Sequence, residues 1–210
     1  MTSATAVATE TKSQKGAATR DQILKAASHL IHVQGYQSTS LDDVLRESGV
    51  GKGNFYYYFK SKEDLGYAII DRITRAFIGR ALEPAFADTE ADPVAQLEAF
   101  FDRVLEAQRQ RNCVGGCAMG NLASELSDVH EGFRQRLAAV FDAYRSHLAE
   151  AIRRGQQSGR IRPDADARRV AQFLVAGLEG AILLGKVTRD ITVMERCVEE
   201  LRAHLTLYRK

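Results

Sequence analysis

The sequence predicts an all-α protein of about nine helices, and two observations favour that class. The 210 residues include only three prolines, and long stretches carry no turn-forming residues, whereas a sheet protein of this length needs frequent turns. Apolar residues also recur at the three- and four-residue spacing of a helix along most of the chain. We therefore expect no strands.

Composition excludes several classes of protein. With 45% hydrophobic and 27% charged residues, the chain can bury a core in one or two domains and is not a disordered protein. A net charge of +2 does not by itself indicate a nucleic-acid partner. The most apolar stretch, Val170–Gly185, is interrupted by Glu179 and is shorter than the roughly 20 residues of a membrane span. We expect no contact with a membrane.

Two further features indicate a cytoplasmic protein. The sequence has three cysteines, Cys113, Cys117 and Cys197. They are too few for a disulfide framework, and an odd number cannot all pair within one chain. Residues 1–17 contain no continuous apolar stretch of the kind that a secretory signal requires. We interpret these residues as a flexible arm.

The first part of the chain predicts four helices with clear boundary signals. The first lies near residues 18–34 and ends at Gly35. Ser40 and Asp43 form a capping box ahead of a short second helix. The third helix is predicted at Lys52–Tyr58. Ser61 and Asp64 cap the fourth helix, which is predicted to end before Pro84.

Five longer or more apolar helices follow in the second part. The fifth carries Val94, Leu97, Phe101 and Val104 on one face, and residues 112–116 separate it from a short sixth helix near 118–126. The long seventh helix is predicted to stop near Gly155 and Gly159, and its apolar residues are Phe133, Leu137, Phe141, Tyr144, Leu148 and Ile152. The eighth and ninth helices are predicted at about 165–187 and 191–208. The layout suggests a small domain attached to a larger helical one.

Residues Leu41–Phe59, LDDVLRESGVGKGNFYYYF, have the length and chemistry of a helix-turn-helix. Gly49 permits the turn and Val50 can fill the angle between the helices. Lysine can pair with phosphate or guanine, asparagine can contact bases, and a tyrosine ring can touch a thymine methyl group. Three consecutive tyrosines cannot all point inward on a helix. The candidate groove-facing residues are Lys52, Gly53, Asn54, Tyr56, Tyr57 and Tyr58.

A phosphate-binding nucleotide loop at GVGKGN is the alternative for this segment. The segment lacks the spacing of a P-loop, however, and follows a predicted helix rather than a strand.

The segment GVGKGNFYYYFKSKEDL, with TRDQILKAASHLIHVQGYQSTSLDDV ahead of it, resembles the TetR family of one-component repressors. The resemblance implies a helix-turn-helix domain at 18–62 and a ligand-binding and dimerisation domain at 63–210. It also implies that Ser40 holds a DNA phosphate, that residues 52–58 enter the major groove, and that Lys62 reaches the DNA backbone. No cofactor is expected.

A homodimer is expected on mechanical grounds. The chain carries a net charge of +3 through residue 80 and −1 in the remainder, so one small domain makes few phosphate contacts, and two copies placed about 34–36 Å apart are needed. Gly177, Ala181 and Gly185 form a smooth strip on the eighth helix, where another helix can approach closely. The alternative for this strip is packing inside one subunit. The candidate dimer residues are Phe173, Leu174, Gly177, Leu178, Ala181, Ile182, Gly185, Leu201 and Leu205.

The resemblance further implies a cavity for a small-molecule inducer among the fourth to eighth helices. Each apolar candidate could equally be an ordinary core residue, because any buried helix shows the same spacing. The candidate lining residues are Phe77, Phe101, Leu105, Gln108, Cys117, Met119, Asn121, Leu122, Phe141, Tyr144 and Phe173.

The segment NCVGGCAMGNLASELSD places two thiols just before the sixth helix. Cys117 lies at the positive end of that helix, where the thiolate is favoured. Together with Lys186, this sequence motif resembles a branch of the family that responds to electrophiles or small unsaturated acids. We therefore consider Cys117 a candidate sensor, with Cys113 as a resolving thiol or Lys186 as a neighbouring cation. A small buried hydrophobe is the alternative for Cys117.

The sequence therefore predicts a homodimeric repressor that leaves a palindromic operator when an inducer binds or a cysteine is modified. A helical enzyme using Cys117 and a helical protein-interaction module are the alternatives from other classes. Zinc binding by Cys113, Cys117 and His130 is a weak alternative, because a fourth ligand is missing. The five histidines show no nucleophile–base pairing, and no catalytic or metal residue is predicted.

Overall fold

The computed structural model describes the backbone of residues 3–210 and the side chains of residues 16–210. Within those residues the chain forms nine helices and no strand, apart from one isolated antiparallel bridge between Ile161 and Arg209. The predicted all-α class with about nine helices is confirmed. The chain divides into two compact units at Arg72/Ile73. We call residues up to Arg72 unit 1 and Ile73–Lys210 unit 2.

Unit 1 begins with a helix that is longer than predicted. Helix α1 spans Ser3–Gln34, so the predicted flexible arm at residues 1–17 is wrong from Ser3 onward, and its first two residues lie outside the described part. Residues 3–17 contain no proline and a single glycine, Gly16, so nothing in them interrupts a helix. The helix ends as predicted at Gly35, whose φ is +88°.

Two short helices follow, α2 at Leu41–Ser48 and α3 at Lys52–Tyr58. The predicted capping box is confirmed, because the Ser40 hydroxyl accepts from the Asp43 N–H and the Asp43 carboxylate accepts from the Ser40 N–H. Gly49 ends α2 in the left-handed conformation, with φ +66°. A residue with a Cβ would be strained at this φ, which is why glycine stands at the turn.

Helix α4 runs on past the predicted end. It comprises Lys62–Phe77, a π-helical turn at Ile78–Leu82 and a final turn at Glu83–Phe86. Pro84 lacks the N–H of a regular turn and its ring would meet the carbonyl four residues earlier. The wider π turn, in which the Glu83 N–H donates to the Ile78 carbonyl, lets the helix continue through the proline.

Unit 2 is completed by five helices. Their bounds are Pro93–Arg109 for α5, Ala118–Leu126 for α6, Glu131–Gln157 for α7, Ala167–Thr188 for α8 and Ile191–Thr206 for α9. Helix α8 packs against both α7 and α9, and α5 packs against α7. Leu97, Leu148 and Leu174 lie at the centre of this core without exposure.

Helix α8 is long and apolar enough to cross a membrane when judged by length and composition alone. The expectation that this stretch is too short is therefore wrong, because the helix extends beyond residues 170–185 at both ends. One face of α8 is nevertheless buried in unit 2, as in a core helix of a soluble protein. The other face carries the exposed apolar residues Phe173, Leu183, Leu184 and Val187.

Candidate nucleic-acid interface and ligand site

The helix-turn-helix core holds α2 and α3 in place. Phe55 and Phe59 are fully or almost fully buried, with ring centroids 5.7 Å apart. Val50 is buried in the turn as predicted. The Gln22 side-chain amide donates to the Ser48 carbonyl at 2.6 Å, which ties the end of α2 to α1. The position of α3 is thus fixed by packing on one side only.

The other side of α3 faces solvent and carries most of the predicted groove residues. Tyr57 is 80% exposed and Tyr56 is 47% exposed. The side chains of Lys52 and Asn54, and the backbone at Gly53, are exposed as well. A Cβ at Gly53 would meet nothing within 4 Å, so this backbone is open to close approach by a ligand.

Tyr58 differs from the two tyrosines before it. It is partly buried, and its hydroxyl lies 3.4 Å from the place where a Cβ on Gly16 of α1 would stand. Its ring makes an edge-on contact with Tyr57, with centroids 4.9 Å apart. Tyr58 therefore packs against α1 and supports Tyr57, instead of presenting its ring freely to a groove.

Ser40 and Lys62 already have partners within unit 1. The Ser40 hydroxyl donates to the Asp43 carboxylate at 2.6 Å in the capping box. The Lys62 ammonium lies 4.4 Å from the centre of the Tyr36 ring and 3.5 Å from the Gln37 carbonyl oxygen. The cation–π contact holds Lys62 at a defined position at the start of α4.

Most of the predicted inducer residues belong to the interior of unit 2. Phe101, Leu105, Gln108, Met119, Leu122 and Tyr144 are buried, Asn121 is partly buried, and Phe77, Phe141 and Cys117 are partly buried against the core. Phe173 is the exception, because it is 48% exposed and its ring lies 4.4 Å from the His204 ring on α9. Phe173 therefore lies on the surface of unit 2, and its assignment to an internal cavity is wrong.

Cys117 lies at the start of α6 as predicted, but the pKa of its thiol is raised instead of lowered. Its sulfur caps α6 by accepting from the Gly120 N–H at 3.4 Å. Burial, followed by the charge of Glu179, raises the pKa of the Cys117 thiol to about 12. Burial outweighs the helix dipole at this position, so the expectation of a favoured thiolate is wrong.

The other sensor candidates, Cys113 and Lys186, each have contacts of their own in unit 2. Cys113 is buried with a φ of +57°, and its sulfur lies 3.6 Å from the place where a Cβ on Gly185 would stand. The Lys186 ammonium donates to the Asn121 side-chain oxygen at 2.9 Å. His130, the third residue of the zinc alternative, caps α7 by accepting from the Phe133 N–H at 3.4 Å.

Glu179 is the functional candidate that sequence reasoning missed. Its charge helps to raise the pKa of the Cys117 thiol, and burial raises the pKa of its own carboxyl group. A Cβ at Gly120 would lie 2.8 Å from Glu179 Oε2, so the glycine leaves room for the carboxylate. The signal that could have found it is its position as the one acidic residue inside the apolar stretch of α8.

The glycine strip on α8 packs inside the subunit. A Cβ at Gly177 would lie 2.5 Å from Leu201 Cδ2 of α9, and one at Gly185 would lie 3.4 Å from the Met194 Cβ. The predicted dimer residues Leu174, Gly185, Leu178, Ala181, Ile182, Leu201 and Leu205 are all buried in the single chain. The strip therefore serves the α8–α9 contact within the subunit, and the assignment of these residues to a dimer surface stays a prediction. Phe173 alone among them is exposed.

Comparisons with known proteins agree with this architecture. Residues 23–69 match the family described as bacterial regulatory proteins, tetR family, and residues 93–201 match the tetracyclin repressor-like, C-terminal domain. An uncharacterised HTH-type transcriptional regulator from the lacX 3' region of Lactococcus lactis is 35% identical over 178 residues, covering 84% of this chain and 88% of the relative.

Solved structures show the same fold. A TetR transcriptional regulator from Chloroflexus aurantiacus has a TM-score of 0.85 and 31% identity, covering 93% of this chain and 98% of its own. The reduced form of NemR from E. coli has a TM-score of 0.80 and 26% identity, covering 91% and 97%. The matches span both units of the chain. The chain belongs to the TetR family of bacterial transcriptional regulators.

Proposed function

We propose that this DNA-binding repressor acts as a homodimer on a palindromic operator, which it leaves when a small-molecule inducer occupies unit 2. The observation that carries the proposal is the solvent-facing side of α3, with Tyr56 and Tyr57 exposed beside Lys52 and Asn54. Large exposed aromatic side chains next to a cation are suited to base edges and phosphates. The Tyr58 ring supports this surface through its edge-on contact with Tyr57.

Fluorescence anisotropy with duplex from the neighbouring promoter tests the DNA-reading surface. We expect Tyr57→Ala to weaken operator binding at least tenfold, because its ring has the largest free surface on α3. Tyr57→Phe is the matched variant, which keeps the ring and separates its contact from that of the hydroxyl. Light scattering on both variants should show an intact dimer. Unchanged affinity in Tyr57→Ala would remove that residue from the interface.

The exposed apolar face of α8 is the proposed dimer surface. Phe173, Leu183, Leu184 and Val187 share this face with Gly180, where a Cβ would meet nothing within 4 Å. An exposed apolar face of this size on a helix indicates a contact with another protein surface. A second copy fits, because two DNA-reading domains are needed to span two half-sites.

The oligomeric state tests this surface directly. Leu184→Glu should produce monomers and reduce operator affinity, because a charge would be buried in the contact. Val129→Glu is the matched control, since Val129 is 66% exposed at a position outside α8. If both variants remain dimeric by light scattering, the dimer uses another surface.

Modification of Cys117 is the second route to induction that we consider. Its sulfur lies at the N-terminal end of α6, but its raised pKa favours a noncovalent inducer. Iodoacetamide treatment of the protein–DNA complex, compared between the wild type and Cys117→Ser, separates the two routes. Release that occurs only in the wild type would establish the covalent route, whereas equal behaviour would exclude it.

A further inference from the structure

An arginine of α1 lies beside the end of α3. The guanidinium carbon of Arg20 is 5.1 Å from the centre of the Phe59 ring, which is within the range of a cation–π contact. Phe59 is only 1% exposed, whereas Arg20 is an exposed residue. The guanidinium group therefore rests on a buried ring and is still open to solvent.

A second contact places the same side of α1 beside the same end of α3. Gly16 lies four residues before Arg20, on the same face of the helix. A Cβ on Gly16 would stand 3.4 Å from the Tyr58 hydroxyl. Tyr58 in turn contacts Tyr57, with ring centroids 4.9 Å apart. Arg20 is thus a neighbour of the exposed aromatic surface of α3, although it belongs to another helix.

Arg20 makes no ion pair among the described residues, which distinguishes it from two other cations of unit 1. Lys25 of α1 pairs with Asp21 at 3.0 Å. Arg46 of α2 pairs with Asp43. A guanidinium group has five N–H donors, and none of those on Arg20 reaches an acceptor in the described part of the chain. Its charge and its donors are therefore available to an anion from another molecule.

The opposite end of α3 also carries a cation. Lys52 is the first residue of this helix and is exposed, and Phe59 follows the last one. The seven residues of α3, at a rise of about 1.5 Å each, make a helix about 10 Å long. The major groove of DNA is about 12 Å wide and lies between two phosphate strands. The cations at the two ends of α3 thus stand about one groove width apart.

We propose that Arg20 is a DNA-backbone contact of this repressor, and that its guanidinium group binds a phosphate of the strand beside the end of α3. This inference rests on the proposed function, since it adds a contact to the DNA-binding surface. A guanidinium group fits a phosphate through two parallel N–H donors. The Phe59 ring holds the group in place, so less side-chain freedom is lost when DNA binds.

The salt dependence of DNA binding tests the assignment, because it counts phosphate contacts. Anisotropy titrations use the full-length protein, between roughly 50 and 200 mM salt, with duplex from the neighbouring promoter and a shuffled duplex of the same length. Each phosphate contact contributes about 0.9 to the slope of log K against log salt concentration. Arg20→Gln should lower the slope by about this amount for each bound subunit. It should also weaken both duplexes severalfold by a similar factor, since phosphate contacts carry no sequence information.

Two matched variants isolate the contact. Arg20→Lys keeps a positive charge for the phosphate and should preserve the slope, with a smaller loss of affinity because lysine lacks the paired donors. Lys25→Gln removes one positive charge from the same helix, but that charge is already paired with Asp21. It should preserve both the slope and the affinity. The preference for the promoter duplex separates a lost phosphate contact from a displaced α3, because only displacement would reduce that preference.

Three outcomes overturn the assignment. An unchanged slope in Arg20→Gln would show that Arg20 contacts no phosphate, whatever the affinity. A reduced preference for the promoter duplex would assign Arg20 to the support of α3 through Phe59. A slope in Arg20→Lys as low as that in Arg20→Gln would exclude a contact that depends on charge. A wild-type protein that does not prefer the promoter duplex would instead contradict the proposed function.

Discussion

Tyr57 in unit 1 and Tyr144 in unit 2 show how one residue type serves two purposes. Tyr57 is 80% exposed and contributes little to the core of its unit, so its ring is available to a large, flat partner. Tyr144 is 2% exposed and packs among aromatic rings, with the Phe77 ring centroid 5.1 Å from its own. The first ring is placed for contact with another molecule, whereas the second stabilises unit 2 by burying a large apolar surface.

The largest expected effect is a loss of stability when a buried ring of α3, rather than an exposed one, is removed. Phe55→Ala should lower the free energy of unfolding by about 3–5 kcal/mol, because Phe55 is fully buried against Phe59. Tyr57→Ala should change it by less than about 0.5 kcal/mol. Urea denaturation followed by circular dichroism measures both values. Similar losses in the two variants would show that Tyr57 packs in the core.

The same contrast applies to two glycines of α8. Gly177→Ala should destabilise the protein by about 1–2 kcal/mol, since the added Cβ would clash with Leu201 and this outweighs the better helix propensity of alanine. Gly180→Ala meets open space and should not destabilise the subunit. Urea denaturation at low protein concentration compares the two. A stable Gly177→Ala variant would argue against the tight α8–α9 contact.

The smallest effect is a dependence on pH that comes from Glu179. Burial raises the pKa of this carboxyl group above its ordinary value of 4.5. The folded protein therefore retains a proton that the unfolded chain has released. The contribution of Glu179 to stability is complete below pH 4.5 and decreases as the pH rises through the folded-state pKa.

Glu179→Gln should consequently be as stable as the wild type in acid and more stable than it at about pH 8. Urea midpoints across this range, measured for both proteins, give the comparison. Glu199→Gln, which removes an exposed carboxylate of α9, is the control and should show no such difference. Parallel profiles for Glu179→Gln and the wild type would indicate that Glu179 is well solvated.

Local signals in the sequence were sufficient to predict most of the helix ends and turns of unit 1. The capping box of Ser40 and Asp43, the stop at Gly35 and the turn at Gly49 each depend on residues within a few positions, and the structure has all three. The exposure of Tyr56 and Tyr57 follows from helix geometry once Phe55 is buried. Tyr58 departs from the expectation because its partner, Gly16, lies far away in the chain.

Unit 2 shows why the rest could not be predicted. The spacing of Gly177, Ala181 and Gly185 identifies a smooth helix face, but the period does not say whether α9 or a second subunit covers it. The predicted acidity of Cys117 is wrong because tertiary packing buries the thiol and also brings Glu179, from a distant helix, close enough for its charge to raise the thiol pKa further. Such contacts depend on how helices are arranged and leave no signal in the local sequence.

The π-helical turn at Ile78–Leu82 makes the length of this part of α4 matter more than its composition. A π turn holds one residue more than an α turn, so the residues after it are rotated by about 100° from an uninterrupted helix. Deleting Gly79 would let the segment wind as an ordinary helix and set the ring of Pro84 against a carbonyl oxygen. This turn should therefore tolerate an exchange of side chains more readily than the loss of a single residue.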